Sequence, residues 1–354
     1  MTGLFPVFCA ERIGNVCVQN LIVYLILEEF MQRNHSIDLL RVMATLAVIT
    51  IHVSTAPLGN ASPEVYSSVF LNMELIHILM QWSVPVFFMI TGFCSMQKDT
   101  CSYSYCFSKV LKYIGVLFTV GLFYALLEEI FKVRTFSFTM VINALKCVIS
   151  GSLWEHMWFV YSIIGIYLIL PVVHCFMQQG EKNIYIFTGL LLFFTILSPA
   201  IGKYIMIGVE FPFTGYLFYV CFGGMAAKCK INKKWEYPAY FVIAVSIVYL
   251  FINVGKELFV FKHPLVCFMA MSIFFVISRK NISYNKYVHN IAKCTWGIYL
   301  LHPFFMNIAL KLFKIDLLSG MLYVKLFVFA VILFGASYIT TYVLRKMPLV
   351  KVLF

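Results

Sequence analysis

Apolar residues run along this chain in long blocks, separated by short gaps that collect the polar and charged positions. A helix needs ~20 mostly apolar residues to cross a bilayer. Ten blocks approach that length, at about 37–57, 71–97, 109–130, 156–178, 183–201, 212–229, 238–255, 263–278, 288–310 and 321–344. No internal repeat, linker or low-complexity tract breaks the series, so 34–354 reads as one domain. The pattern predicts an all-α integral membrane protein, a bundle of about ten transmembrane helices. The stretch between 130 and 155 reads as a loop.

Residues 1–33 stand apart. The apolar stretch Leu21–Leu27 runs straight into Glu28 and Glu29, is too short to span, and lacks the basic start of a signal peptide. It reads as an N-terminal extension, either an interfacial helix or an over-extended start with Met31 as the true beginning.

Composition strengthens the membrane reading. Of 354 residues, 62% are hydrophobic and 12% are charged, and the mean hydropathy is +0.90. A soluble domain carries about 25% charge, and half of that cannot cover a globule in water. In lipid the difficulty disappears, because apolar side chains face hydrocarbon while helices satisfy their own backbone groups. The net charge of +12 does not indicate nucleic acid, because the basic residues sit in the short loops, as the positive-inside rule expects. With the N-terminus inside, inner segments hold seventeen basic residues and outer segments eight, which places both termini in the cytoplasm. The eleven cysteines are scattered without CxxC pairs or ligand spacing, so no metal is expected.

Ionisable residues within apolar spans are costly, and each is a candidate functional group. The first span carries Asp38, Arg41 and His52. Eleven steps from Arg41 to His52 make three turns plus about 20°, so the two share a face roughly 16 Å apart along the axis. Asp38, one turn before Arg41, can pair with it. The second span carries Glu74, His77 and Gln81 on one face. Glu155, His156 and Trp158 open the fourth, and His302 lies in the ninth. Three or four histidines thus fall at a similar depth in the outer half. Any one alone is more often a packing residue; together they outline a polar cavity. Lys325 reads as a snorkelling lysine.

Four passages in order resemble the acyltransferase-3 family of bacterial membrane O-acyltransferases over about residues 36–345. They are Ser36-Ile-Asp38-Leu-Leu-Arg41 through His52; Pro85 to Phe93, with Thr91 where the family usually has Ser; His156-Met-Trp158-Phe159 followed by Tyr167 to Pro171; and Trp296-Gly297-Ile-Tyr299-Leu-Leu-His302-Pro303. The resemblance implies transfer of an acyl group, commonly acetyl from acetyl-CoA, to a hydroxyl of a glycan or lipid-linked sugar in the bacterial plasma membrane. It carries function onto His52 and Arg41.

Within that reading His52 is the candidate base, Glu74 or His77 could orient it, and Asp38 would hold Arg41. Arg41, Lys98, Lys109 and Lys112 form a candidate site for the phosphates of CoA. Glu155, His156, Trp158 and His302 are substrate-side candidates. A transporter or flippase for a polar lipid or sugar would also suit buried histidines and a polar stripe, and a non-catalytic envelope scaffold would leave His52 without a role.

Overall fold

The computed structural model describes residues 34–60, 63–97, 101–133, 137–201, 214–256, 263–348 and 350–354. The expected 1–33 extension lies outside them. Among the described residues the chain forms α-helices α1 (His35–Thr55), α2 (Pro63–Met80), α3 (Ser83–Met96), α4 (Tyr103–Val116), α5 (Leu122–Val133), α6 (Phe138–Ser150), α7 (Trp158–Met177), α8 (Glu181–Ile201), α9 (Thr214–Lys228), α10 (Glu236–Ile252), α11 (Pro264–Ser278), α12 (Lys286–Asn307) and α13 (Leu322–Leu344), with no strand. Over its described residues, each apolar block seen in the sequence is largely helical. Among the described residues, six helices are long and apolar enough to cross a membrane: His35–Leu58, Val69–Met96, Tyr103–Phe131, Glu155–Met177, Lys233–Ile252 and Leu322–Leu344.

Two departures from the sequence reading have local causes. The 71–97 block is broken at Gln81–Trp82 into α2 and α3. Pro85, in the first turn of α3, has no N–H to continue a ladder from α2, which forces the break upstream of it. The 130–155 stretch is not simply a loop; it contains α6, whose apolar run is too short to span. A second irregularity, the π-helical turn Leu117–Gly121, joins α4 to α5 without ending the helix.

Helix starts follow from side-chain caps. Asn34 Oδ1 accepts from the backbone N–H of Ser36 and Ile37 at the head of α1, and Asn285 does the same for Tyr287 and Val288 at the head of α12. Each such cap contributes about 1 kcal/mol. Between α13 and α12 the Asp316 carboxylate accepts from the Ser319 hydroxyl and the Leu318 N–H, which hold it below the usual carboxylate range, with Lys325 close by. Lys325 reaches the Ser319 hydroxyl and the Asp316 carbonyl, so it is anchored by that loop.

Where hydrocarbon supplies little drive for helix association, close backbone approach replaces it. α3 and α9 cross this way. A Cβ on Gly92 would meet the Val220 carbonyl oxygen at 1.8 Å, and one on Gly223 would meet that of Met89 at 1.9 Å. The two glycines face each other's helices in reciprocal fashion, and the crossing exists only because both lack a side chain. α1 is central. It packs against α2, α3, α11, α12 and α13, so polar groups on its inward face lie between protein elements.

Candidate active site

Arg41 and His52 both line one cavity of about 220 Å³, as their shared helical face requires. Half of the remaining lining residues are aromatic: Phe87 from α3, Tyr113 from α4, Trp158, Phe159 and Tyr167 from α7, and Trp296 and Tyr299 from α12. Trp296 is fixed from behind, its indole N–H donating to the Leu353 carbonyl at 3.0 Å.

At one end of the cavity Asp38 is almost fully buried. Arg41 Nη1 donates to its Oδ1 at 3.3 Å, while Nη2 lies 3.2 Å from Cys94 Sγ. The other oxygen, Oδ2, is 3.2 Å from His289 Nδ1. A carboxylate can only accept, so His289 carries a proton on Nδ1. Both oxygens therefore have a partner, without which burying the charge would be strongly unfavourable. The Arg41 side chain keeps 27% of its exposure, so one edge of the guanidinium still faces the cavity.

At the other end three imidazoles converge. The ring centroids of His52 and His302 are 5.2 Å apart, those of His156 and His302 5.8 Å, and those of His52 and His156 6.5 Å. Their supports come from neighbouring tyrosines and from the backbone. Tyr299 O–H donates to the His156 carbonyl. Tyr124 O–H donates to the Leu300 carbonyl at 2.6 Å, with Trp154 stacked on its ring at 4.2 Å. Pro303, having no N–H, leaves the Tyr299 carbonyl without its own i+4 helical donor, and His302 Nδ1 sits 3.3 Å from the Ile298 carbonyl. That contact puts the His302 proton on Nδ1. Nε2 of His302 and Nε2 of His156 are buried with no hydrogen-bond partner. An unmade bond at a buried nitrogen costs ~1–3 kcal/mol; His156 lines this cavity and a second one, whereas His302 is packed against His156 and His52.

A second cavity, of about 400 Å³, begins at the same histidines. It shares His52 and His156 with the first and continues past Glu128, Trp154, Glu155, Asn307 and Lys311. His52 and His156 thus form the partition between two chambers, an aromatic one leading to Arg41 and a more polar one leading away.

The remaining expected residues fall into three groups. Glu155 lines the polar chamber, His156 both chambers and Trp158 the aromatic one, where it is stacked on Tyr216 at 5.5 Å between centroids, while His302 packs against His52 and His156. Thr91 also lines that chamber, its hydroxyl donating to the Phe87 carbonyl at 3.0 Å. Glu74 and His77 are neighbours only. His77 Nε2 is 2.6 Å from the Gln81 amide nitrogen, and it acts on His52 electrostatically, as Glu74 and Glu155 act on it. Among the described residues neither Glu74 nor His77 hydrogen-bonds to His52, so neither orients it directly.

Lys109 and Lys112 do not line the aromatic chamber. Lys109 Nζ sits 5.4 Å from the Tyr105 ring, one turn before Tyr113, and Lys112 has Lys109 and Arg345 as its charged neighbours. Lys98 lies outside the described residues. Among the described residues no cluster of three or more His, Cys, Asp or Glu side chains could hold a metal ion.

Sequence reasoning did not single out His289, Tyr113, Trp154 or Glu128, and it named Tyr167 only as part of a family-like passage. Glu128 had a usable signal, as a carboxylate at the end of an apolar run. The aromatics had none, since tyrosine and tryptophan suit lipid belts equally well.

The helical frame and the paired chambers define a multi-pass membrane protein with a polar path through its interior. The sequence matches the acyltransferase-domain family, Acyl_transf_3, over residues 34–346. The chain belongs to that family of membrane acyltransferases. No curated protein and no solved structure matches it.

Proposed function

We propose that the protein transfers an acyl group, acetyl in the first instance, from acyl-CoA to a hydroxyl of a cell-surface glycan or lipid-linked sugar. In this reading it spans a bacterial plasma membrane ten times with both termini in the cytoplasm, consistent with the seventeen-to-eight charge bias. The observation that carries the reading is the partition. Arg41 and His52 share one chamber, and His52 and His156 share the next, so a donor and an acceptor can approach one imidazole from opposite sides.

The chemistry needs little else. An imidazole is matched to proton transfer near neutral pH. His52 takes the proton of the acceptor hydroxyl as its oxygen attacks the thioester carbonyl. The new C–O bond forms, the C–S bond breaks, and the CoA thiolate leaves and recovers the proton. The unpartnered Nε2 of His156, a residue that lines both chambers, is available to meet an acceptor hydroxyl or developing charge, with His302 packed against His52 and His156. Arg41, pinned on one edge by Asp38, offers the other edge to a phosphate of CoA; Lys109 and Lys112 would flank that approach from outside the chamber, and Lys98 is a further candidate for the same phosphates. Were His52 instead a nucleophile, it would carry the acyl group transiently.

A carrier for a polar lipid or sugar would also use chambers on either side of a partition. Purified protein in nanodiscs, given acetyl-labelled acetyl-CoA and oligosaccharide acceptors, separates the two. An alkali-labile labelled product supports the transferase; release of neither CoA nor labelled sugar, together with acceptor movement across proteoliposomes, would replace it with the carrier.

A further inference from the structure

Away from the two chambers, a cleft of about 580 Å³ opens between α9, α10 and α11. Phe222, Met225, Val242, Phe268 and Phe275 make it apolar, and Lys230 and Trp235 stand at its mouth. The mouth lies at the end of the molecule that holds the start of α1, since Asn34 Nδ2 donates to the Ser278 carbonyl and Ser36 to that of Lys280. Trp235 is 61% exposed and Tyr237 80%. Aromatics exposed at one level beside an apolar wall belong at the headgroup region of a bilayer.

Charge at this mouth is unbalanced. Lys230, Lys233 and Lys234 are all exposed. Glu236, the acid next in line, is already engaged by Lys280 at 3.4 Å, and Glu181, which accepts from the backbone N–H of Lys230 at 3.4 Å, offsets only one of the three. A second observation points the same way. Arg279 lies with its guanidinium 5.2 Å from the ring centre of Phe275, a residue of the cleft wall, and its Nε is buried without a hydrogen-bond partner. A buried guanidinium N–H without an acceptor is a demand for an oxygen.

The geometry points to a binding site for one anionic phospholipid, its phosphate held by Lys230, Lys233, Lys234 and Arg279 and an acyl chain laid in the cleft. A zwitterionic lipid could fill the apolar part equally well, but only a net negative headgroup balances the lysines, and basic pockets between spans recognise such headgroups by this logic. Because the site is separate from the chambers, it stands whether or not the transferase reading does.

The test is native mass spectrometry of the full chain equilibrated with equal amounts of phosphatidylglycerol and phosphatidylcholine. The wild type should retain phosphatidylglycerol preferentially, and added salt should weaken that preference. Lys230→Ala, Lys233→Ala and Lys234→Ala should each lower it by roughly fivefold, the effect expected of one basic residue near an anionic headgroup. Val242→Trp, which fills the cleft and leaves the lysines in place, should remove the retained lipid. Equal retention of the two lipids by the wild type overturns the proposal without any variant having to fold. So does a triple lysine variant with unchanged preference, or a Val242→Trp variant with unchanged lipid.

Discussion

The rings of His52 and His302 lie 5.2 Å apart, centroid to centroid, although one comes from the first helix and the other from the twelfth. His156, at the head of α7, completes the group. The three bring together elements that packing alone could have separated, and the consequence is a histidine partition with an unpartnered nitrogen on each flanking ring.

That arrangement makes His302 a positioning residue for His52. His302→Ala should lower kcat by roughly 100-fold, the usual consequence of misplacing a reacting group by about 1 Å, while leaving KM for acetyl-CoA within about threefold. Steady-state kinetics on nanodisc-embedded protein would show it. A large KM change at constant kcat would mean that His302 binds substrate instead.

Arg41 is expected to act on the donor alone. Arg41→Lys keeps the charge and loses the planar fork, so KM for acetyl-CoA should rise about tenfold or more, the worth of one charge-assisted hydrogen bond, with the acceptor KM unchanged. Asp38→Ala should reproduce part of this effect. It should also lower stability by up to about 3 kcal/mol, since it removes the shared partner of Arg41 and His289; thermal unfolding in detergent would measure that loss.

The opposite split is expected in the polar chamber. Trp154→Ala, which removes a wall residue stacked on Tyr124, should raise KM for the acceptor by several-fold and leave acetyl-CoA untouched. If both Trp154→Ala and Arg41→Lys altered the same substrate's KM, the two-sided assignment would be wrong.

These expectations show where the sequence was informative. The Arg41–His52 relation is a property of one helix, and helical geometry is local, so counting residues was enough to find it. The break at Gln81–Trp82 was also marked, by Pro85, although the apolar run across it concealed the mark. The Asp38–His289 contact depends on how α1 meets α12, and nothing in either segment encodes it visibly. The placement of Lys109 and Lys112 was hidden for the same reason: α4 turns Tyr113 to the chamber and leaves both lysines out of its wall.

The α3–α9 crossing offers a test of the fold itself. Gly92→Leu would drive a side chain into the Val220 carbonyl, and Gly223→Leu into that of Met89. Each should cost at least the ~1–3 kcal/mol of an overpacked core, read as a lower unfolding temperature or loss of the monodisperse peak. A stable, monodisperse Gly92→Leu protein would show that the helices do not meet there.

The most direct measurement of the central claim is single-turnover acetyl transfer by purified His52→Ala, beside a parallel binding measurement for acetyl-CoA. The account predicts a fall of about 10²-fold or more in the transfer rate, the contribution expected of a general base, with donor affinity within a factor of about three. Transfer at the wild-type rate would contradict it, and the partition between the chambers would then be structural rather than chemical.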